Sequence, residues 1–102
     1  MNRVVSPVLT CLARAHHGLP AEPMYHRLAS ALEHGVRRGE VLAGTAVPAE
    51  TTMAGHLRVS RGTIRQALGL LEQRHVVARP PGAGRGRPRT RRITTPHEEL
   101  DA

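Results

Sequence analysis

The chain has 102 residues and a formal net charge of +7, and all 15 of its Lys or Arg residues are arginine, against 8 acids. A chain of this length supports one domain at most. With one Tyr and no Phe or Trp, its core must be built from Leu, Val, Ile, Ala and Met. The single cysteine, Cys11, excludes an intramolecular disulfide and a cysteine-rich zinc site, and it favours a cytosolic protein.

Several classes of protein are disfavoured by what the sequence lacks. No apolar run approaches the roughly 18 residues of a transmembrane helix, and the N-terminus has no secretory cleavage pattern, so we expect a cytoplasmic protein. The pair His16-His17 has no third ligand at a metal-binding spacing, and we expect neither a metal nor another cofactor. An enzyme is not predicted, because catalytic pairs are missing and the glycines from Gly82 to Gly86 open no helix.

The first 23 residues have two interpretations. Ser6-Pro7 is typical of an N-cap and first helical position, and an apolar strip would follow before residues 18–20 end the helix. The strip consists of Val8, Leu9, Leu12 and Ala15. The alternative is a disordered arm. We therefore predict an arm or short helix over 1–23, a folded domain over 24–94, and a disordered acidic tail over 95–102.

A stronger helix is predicted after Pro23. Its apolar positions repeat at helical spacing, and they are Tyr25, Leu28, Ala29, Leu32 and Val36. Gly39 should end it, while Gly35 weakens it locally. The following segment, 40–48, contains the apolar pairs Val41-Leu42 and Ala46-Val47, one of which could form a brief strand.

Two short helices come next, over Thr51–Leu57 and from Ser60 to about Arg74. Ser60 is a preferred N-cap, whereas Ala49 before the first of the two is a poor one. The break at Arg58-Val59 is so short that the helices must cross steeply, which is the helix-turn-helix layout.

The helix that starts at Ser60 has two different faces. One carries an aliphatic stripe and is expected to be buried: Ile64, Ala67, Leu68 and Leu71. The other carries Arg61, Gly62, Arg65, Gln66 and Gly69. Ten arginines and one acid, Glu72, lie between residues 58 and 92, which indicates a polyanionic partner rather than a merely solvated surface.

The residues after this helix have the pattern of a β-wing. A short strand is predicted around Val76-Val77, then a glycine- and arginine-rich turn over 80–88, then a basic strand over 89–94 with Ile93. Gly allows close approach of the main chain, and Arg suits a narrow negative groove. The alternative is a disordered arginine-rich tail, because Pro80, Pro81 and Pro88 interrupt strand pairing.

With these residues in place, the chain resembles the DNA-binding domain of the GntR family of bacterial transcription regulators, a mainly α winged helix-turn-helix with a small β-hairpin. The resemblance runs from about Tyr25 to Gly86, and its most specific part is the run Val59-Ser60-Arg61-Gly62-Thr63-Ile64-Arg65-Gln66-Ala67-Leu68.

The resemblance implies DNA contacts from Ser60, Arg61, Thr63 and Arg65, and minor-groove entry by Gly82. The same surface supplies further candidates: Thr51, Arg58, Gly62, Gln66, Arg79, Arg85 and Arg87.

The chain also departs from the family pattern. Thr51 replaces a common arginine, Arg58 and His75 replace glycines, and the returning wing strand lacks its usual Thr-Phe-Val. The family's C-terminal effector domain has no counterpart after residue 94, so no small-molecule effector is expected.

We therefore predict a sequence-specific, double-stranded-DNA-binding transcription regulator, more specifically a repressor, associated with the nucleoid. A homodimer is left open, held by the N-terminal segment, the wing or the DNA. The competing hypothesis is a protein-interaction or antitoxin-like module that uses the same fold.

Overall fold

The computed structural model describes residues 6–17, 21–79 and 90–94. Over these residues it contains four α-helices, a 3-10 turn at Arg14–His17, and a two-stranded sheet. The helices are α1 (Pro7–Ala13), α2 (Met24–Arg37), α3 (Glu50–Leu57) and α4 (Arg61–Gln73), and the strands are β1 (Val77–Ala78) and β2 (Arg92–Ile93). The predicted fold class, a mainly α winged helix-turn-helix, is confirmed.

Helix α1 is formed and capped. The Ser6 hydroxyl oxygen accepts hydrogen bonds from the backbone N–H groups of Val8 (3.2 Å) and Leu9 (3.4 Å), and Pro7 occupies the first turn. The buried side chains of this segment are those of Val8, Cys11, Leu12 and Ala15. They belong to the same core as the buried side chains of α2, α3 and α4. The helical interpretation therefore holds over 7–13, while the predicted stop at 18–20 lies outside the described residues.

Helix α2 is the centre of the packing. It contacts α1, α4 and the 3-10 turn, and Leu28, Ala29 and Leu32 are fully buried on it. It ends where the sequence predicts, because Gly39 takes a left-handed φ of +81° directly after the cap residue Arg38.

Gly35 in α2 lets α1 approach closely. A Cβ at this position would lie far inside the van der Waals contact distance from the Cys11 sulfur, so no larger residue fits without a shift. The Cys11 thiol is buried, and burial together with its contact to Glu40 raises its pKa. Arg14 donates to Glu40 at 2.6 Å, and this hydrogen bond lowers the pKa of the Glu40 carboxyl. Cys11 is thus a packing residue of α1 that lies against α2 at Gly35.

The segment between α2 and α3 runs beside β2. Gly44 N–H donates to Ile93 (2.8 Å), Ile93 N–H donates to Thr45 (3.0 Å), and Val47 N–H donates to Arg91 (2.8 Å). Ala46 forms an isolated antiparallel bridge with Arg92, so it supplies the brief strand pairing predicted here. Only one member of each apolar pair is buried. Val41 and Val47 lie in the core, whereas Ala46 is exposed and Leu42 is 69% exposed.

Strands β1 and β2 pair antiparallel, with Val77 opposite Ile93 and Ala78 opposite Arg92. Val77 and Ile93 point into the core, whereas Ala78 and Arg92 are exposed. The two ends of the predicted wing are therefore held together, while its tip lies outside the described residues.

We expect Gly35→Ala to destabilise the domain by about 1–3 kcal/mol, because overpacking against Cys11 outweighs the better helix propensity of Ala. The double variant Cys11→Ala/Gly35→Ala should recover most of the loss, since it removes the clashing sulfur. Urea unfolding of both variants and of Cys11→Ala measures this. Equal stability of Gly35→Ala and the wild type would show that α1 does not pack here.

Candidate nucleic-acid interface

The turn between α3 and α4 depends on a left-handed arginine. Arg58 has φ 61° and ψ 45°, and the Val59 N–H donates to Ala54 at 3.1 Å to close the turn. Arg58 is thus left-handed, the conformation that we expected if an arginine stands where a glycine is usual. His75 adopts the same region, with φ 62°, directly after α4. Both residues therefore hold a left-handed backbone conformation although each carries a side chain.

Helix α4 starts at Ser60 with a specific cap. The Ser60 hydroxyl accepts from the Thr63 N–H at 3.0 Å and donates to the Thr63 hydroxyl at 2.9 Å. Because the Ser60 proton is engaged, Thr63 is the better placed of the two to donate its hydroxyl outward. The cap fixes where the helix begins and therefore which residues occupy its first two turns.

The two faces of α4 are separated as predicted. Ile64, Ala67, Leu68 and Leu71 are all at most 3% exposed. The exposed residues of the opposite side are Arg61, Gly62, Arg65, Gln66 and Gly69. Among the described residues, Arg61 makes no ion pair or hydrogen bond. A Cβ at Gly62 or Gly69 would meet nothing closer than the Ser60 hydroxyl at 3.8 Å, so neither glycine is needed for internal packing.

Arg65 is only loosely tied to the protein. Its Nε lies 3.2 Å from a Glu50 carboxylate oxygen, yet 62% of its side chain remains exposed. Thr51, next to Glu50 in the first turn of α3, is exposed as well. The ion pair therefore orients the guanidinium without covering it.

The base of the wing brings further charge to the same helix. Arg79 lies 3.3 Å from Glu72 of α4 and has 63% of its side chain exposed. The predicted contacts Gly82, Arg85 and Arg87 lie outside the described residues, so their positions remain predictions.

Arg91 is a residue that the sequence analysis did not select. Its Nε donates to Glu72 at 2.7 Å, its Nη1 lies 3.6 Å from Glu50, and only 14% of its side chain is exposed. The sequence did contain a signal for the low exposure of Arg91. Side chains alternate along β2, which puts Arg91 on the same side as the buried Ile93 and Arg92 on the other. The basic character of 89–92 obscured it.

Other kinds of site receive no support from the described residues. None of their His, Cys, Asp and Glu side chains form a group of three that could hold a metal ion. No helix in the same part of the chain is long and apolar enough to cross a membrane.

Comparison with known proteins agrees with this geometry. The sequence-family model for the bacterial regulatory proteins of the gntR family matches residues 24–85, which is more than half of the chain. The chain belongs to the GntR family. Its fold and family are those of DNA-binding transcription regulators and not of enzymes.

Sequence similarity to one relative from Escherichia coli covers part of each chain. The mannosyl-D-glycerate transport/metabolism system repressor MngR of Escherichia coli K12 is 33% identical over 63 residues, which are 62% of this chain and 26% of MngR. The chain thus spans about a quarter of that relative's length.

Two solved structures share the fold. YtrA from Sulfolobus acidocaldarius, a GntR-family transcription factor, superposes with a TM-score of 0.64 at 17% identity, covering 78% of this chain and 79% of YtrA. The DNA-binding domain of AraR, solved in complex with operator ORX1, gives a TM-score of 0.58 at 22% identity, covering 76% and 90%.

We expect Ser60→Ala to lower the free energy of unfolding by about 1 kcal/mol, because the Thr63 N–H loses its acceptor. Ser60→Asp should keep most of the stability, since a carboxylate caps the same N–H and favours the helix N-terminus. Urea denaturation of the three proteins measures both effects. If Ser60→Ala were as stable as the wild type, the cap would not define the start of α4.

Proposed function

We propose that this GntR-family chain is a sequence-specific transcription regulator, acting as a repressor, that inserts α4 into the major groove of double-stranded DNA. The observation that carries the proposal is the exposed pair Arg61 and Arg65 on a helix whose other face is locked in the core. A major groove about 12 Å wide admits one α-helix, and arginine is the side chain that most often reads guanine edges there.

The contacts would divide into two kinds. Arg61, Arg65 and Gln66 would reach base edges, with each good bidentate contact worth about 1–3 kcal/mol of discrimination. Thr63, Arg58 and the cap at Ser60 would set the register on phosphates, and Thr51 would approach the DNA from α3. Gly62, without a side chain, would allow the backbone of α4 close to the DNA.

The wing would add contacts beside this helix. Arg79 starts it with an exposed guanidinium, and the glycine- and arginine-rich stretch with Gly82, Arg85 and Arg87 would track the backbone or the minor groove. A narrow minor groove attracts arginine because its potential is strongly negative.

The relatives support a repressor that acts on an operator. MngR carries the description of repressor, and the AraR domain was solved on operator DNA. A protein of this kind acts at the chromosome, so we place it in the cytoplasm in association with the nucleoid. No small-molecule effector is part of the proposal.

Selection of binding sites from a random duplex pool tests the function directly. We expect a recovered consensus with guanines spaced for Arg61 and Arg65, and a palindrome if two copies bind together. Recovery of no consensus, together with binding that does not depend on salt, would favour the protein-interaction module instead.

Arg65→Ala should flatten binding across variants of the selected site, because it removes base readout. Arg87→Ala should weaken all sequences alike and reduce the salt slope by about one unit. Arg37→Ala, an exposed arginine of α2 outside the proposed interface, controls for the loss of one charge. Fluorescence anisotropy over a salt series gives the three profiles. Identical profiles for Arg65→Ala and Arg87→Ala would contradict the division of contacts.

Gly62→Ala should leave the protein at least as stable as the wild type, since the added methyl makes only an ordinary van der Waals contact with the Ser60 hydroxyl, but it should weaken DNA binding. Gly69→Ala is the matched control on the same helix, where a similar gain of about 0.5–1 kcal/mol should leave binding nearly unchanged. Thermal unfolding and anisotropy separate the two effects. Full binding by a stable Gly62→Ala would remove this residue from the interface.

A further inference from the structure

Five side chains of alternating charge connect the exposed face of α4 with the base of the wing. The order is Arg65, Glu50, Arg91, Glu72, Arg79. The N···O distances along this series are 3.2, 3.6, 2.7 and 3.3 Å. The two glutamates belong to α3 and α4, and the central arginine belongs to the segment entering β2. The series therefore joins three separate elements.

The centre of the series is enclosed and its ends are open. Arg91 has 14% of its side chain exposed, whereas Arg65 and Arg79 have 62% and 63%. A partly buried charge is screened little by salt and is costly to leave unpaired, while an exposed arginine exchanges partners easily. Arg91 is thus the fixed member, and the two outer arginines are the exchangeable ones.

Glu50 divides its two oxygens between these neighbours. Oε1 faces Arg65 and Oε2 faces Arg91. If Arg65 turned to a nucleic-acid base or phosphate, Glu50 would still be paired with Arg91. Without Arg91, the same carboxylate would hold Arg65 more strongly and would repel the approaching phosphates.

We propose that Arg91 is a positioning residue for DNA recognition, which neutralises Glu50 so that Arg65 can exchange its intramolecular partner for DNA. The inference rests on the proposed function and adds to it a residue that touches no base. Glu72 of α4 pairs with both Arg91 and Arg79, so the same arrangement extends to the base of the wing.

A double-mutant cycle between residues 50 and 91 tests the proposal. The proteins are the wild type, Arg91→Met, Glu50→Gln and Glu50→Gln/Arg91→Met. Arg92→Met is the matched control, because Arg92 is the next residue of the same strand, is exposed, and donates to the Gly44 carbonyl rather than to a carboxylate. The probes are a duplex selected by the wild type and a random-sequence duplex of equal length, both read by fluorescence anisotropy at a temperature where melting curves show folded protein.

Arg91→Met should weaken binding to the selected duplex about tenfold more than Arg92→Met, and it should lower the ratio of selected to random affinity. Adding Glu50→Gln should restore most of that loss, because the unpaired carboxylate is then absent. Arg91→Lys, which retains the charge, should keep most of the binding. If Arg91→Met does not fold, Arg91→Gln takes its place in the cycle and should show the same loss and the same recovery with Glu50→Gln.

Two results would overturn the role of Arg91 while leaving the proposed function intact. In the first, the wild type binds tightly, and Arg91→Met weakens binding equally with and without Glu50→Gln. A direct contact between Arg91 and a phosphate would give this result. The other is a loss of binding by Arg91→Lys as large as that by Arg91→Met, since the retained charge should still neutralise Glu50. A wild type that binds neither duplex would overturn the proposed function and this inference together.

Discussion

The structure depends on the burial of one aliphatic stripe. Ile64, Leu68 and Leu71 of α4 pack in the same core as Leu28 and Leu32 of α2, and all are at most 3% exposed. Each such side chain contributes about 1.5–3 kcal/mol on burial, so rotating α4 to hide its arginines would expose several of them at once. The orientation of the arginine face is therefore a consequence of core packing. In a small core with no Phe or Trp, this constraint also explains why α1 adds Val8, Cys11 and Leu12 to the same cluster.

Much of this arrangement is predictable from local signals in the sequence. The N-cap at Ser60 and the four-residue stripe specify α4 because capping and helical periodicity act over a few residues. The left-handed turn at Arg58 follows from the short connection between α3 and α4, and the left-handed Gly39 ends α2. The family match and the fold then confirm the winged helix-turn-helix.

The parts that sequence did not predict are contacts between distant residues. Gly35 looked like a weak point of α2, but it makes room for Cys11, which lies more than six helical turns earlier in the sequence. Arg91 looked like one more wing cation, yet it joins Glu50 and Glu72, which no periodicity places together. The same electrostatic series leaves Arg65 exposed while limiting its orientation.

The central claim is that the capped N-terminal half of α4 lies against duplex DNA while its aliphatic face stays in the core. The most direct measurement is a titration of the ¹⁵N-labelled protein with a selected duplex, followed through backbone amide and arginine Nε resonances. The account predicts large shifts at residues 58–66 and at the Nε of Arg61 and Arg65, with little change in α1. Shifts confined to α1 and α2, with Arg61 and Arg65 unaffected by saturating DNA, would contradict it.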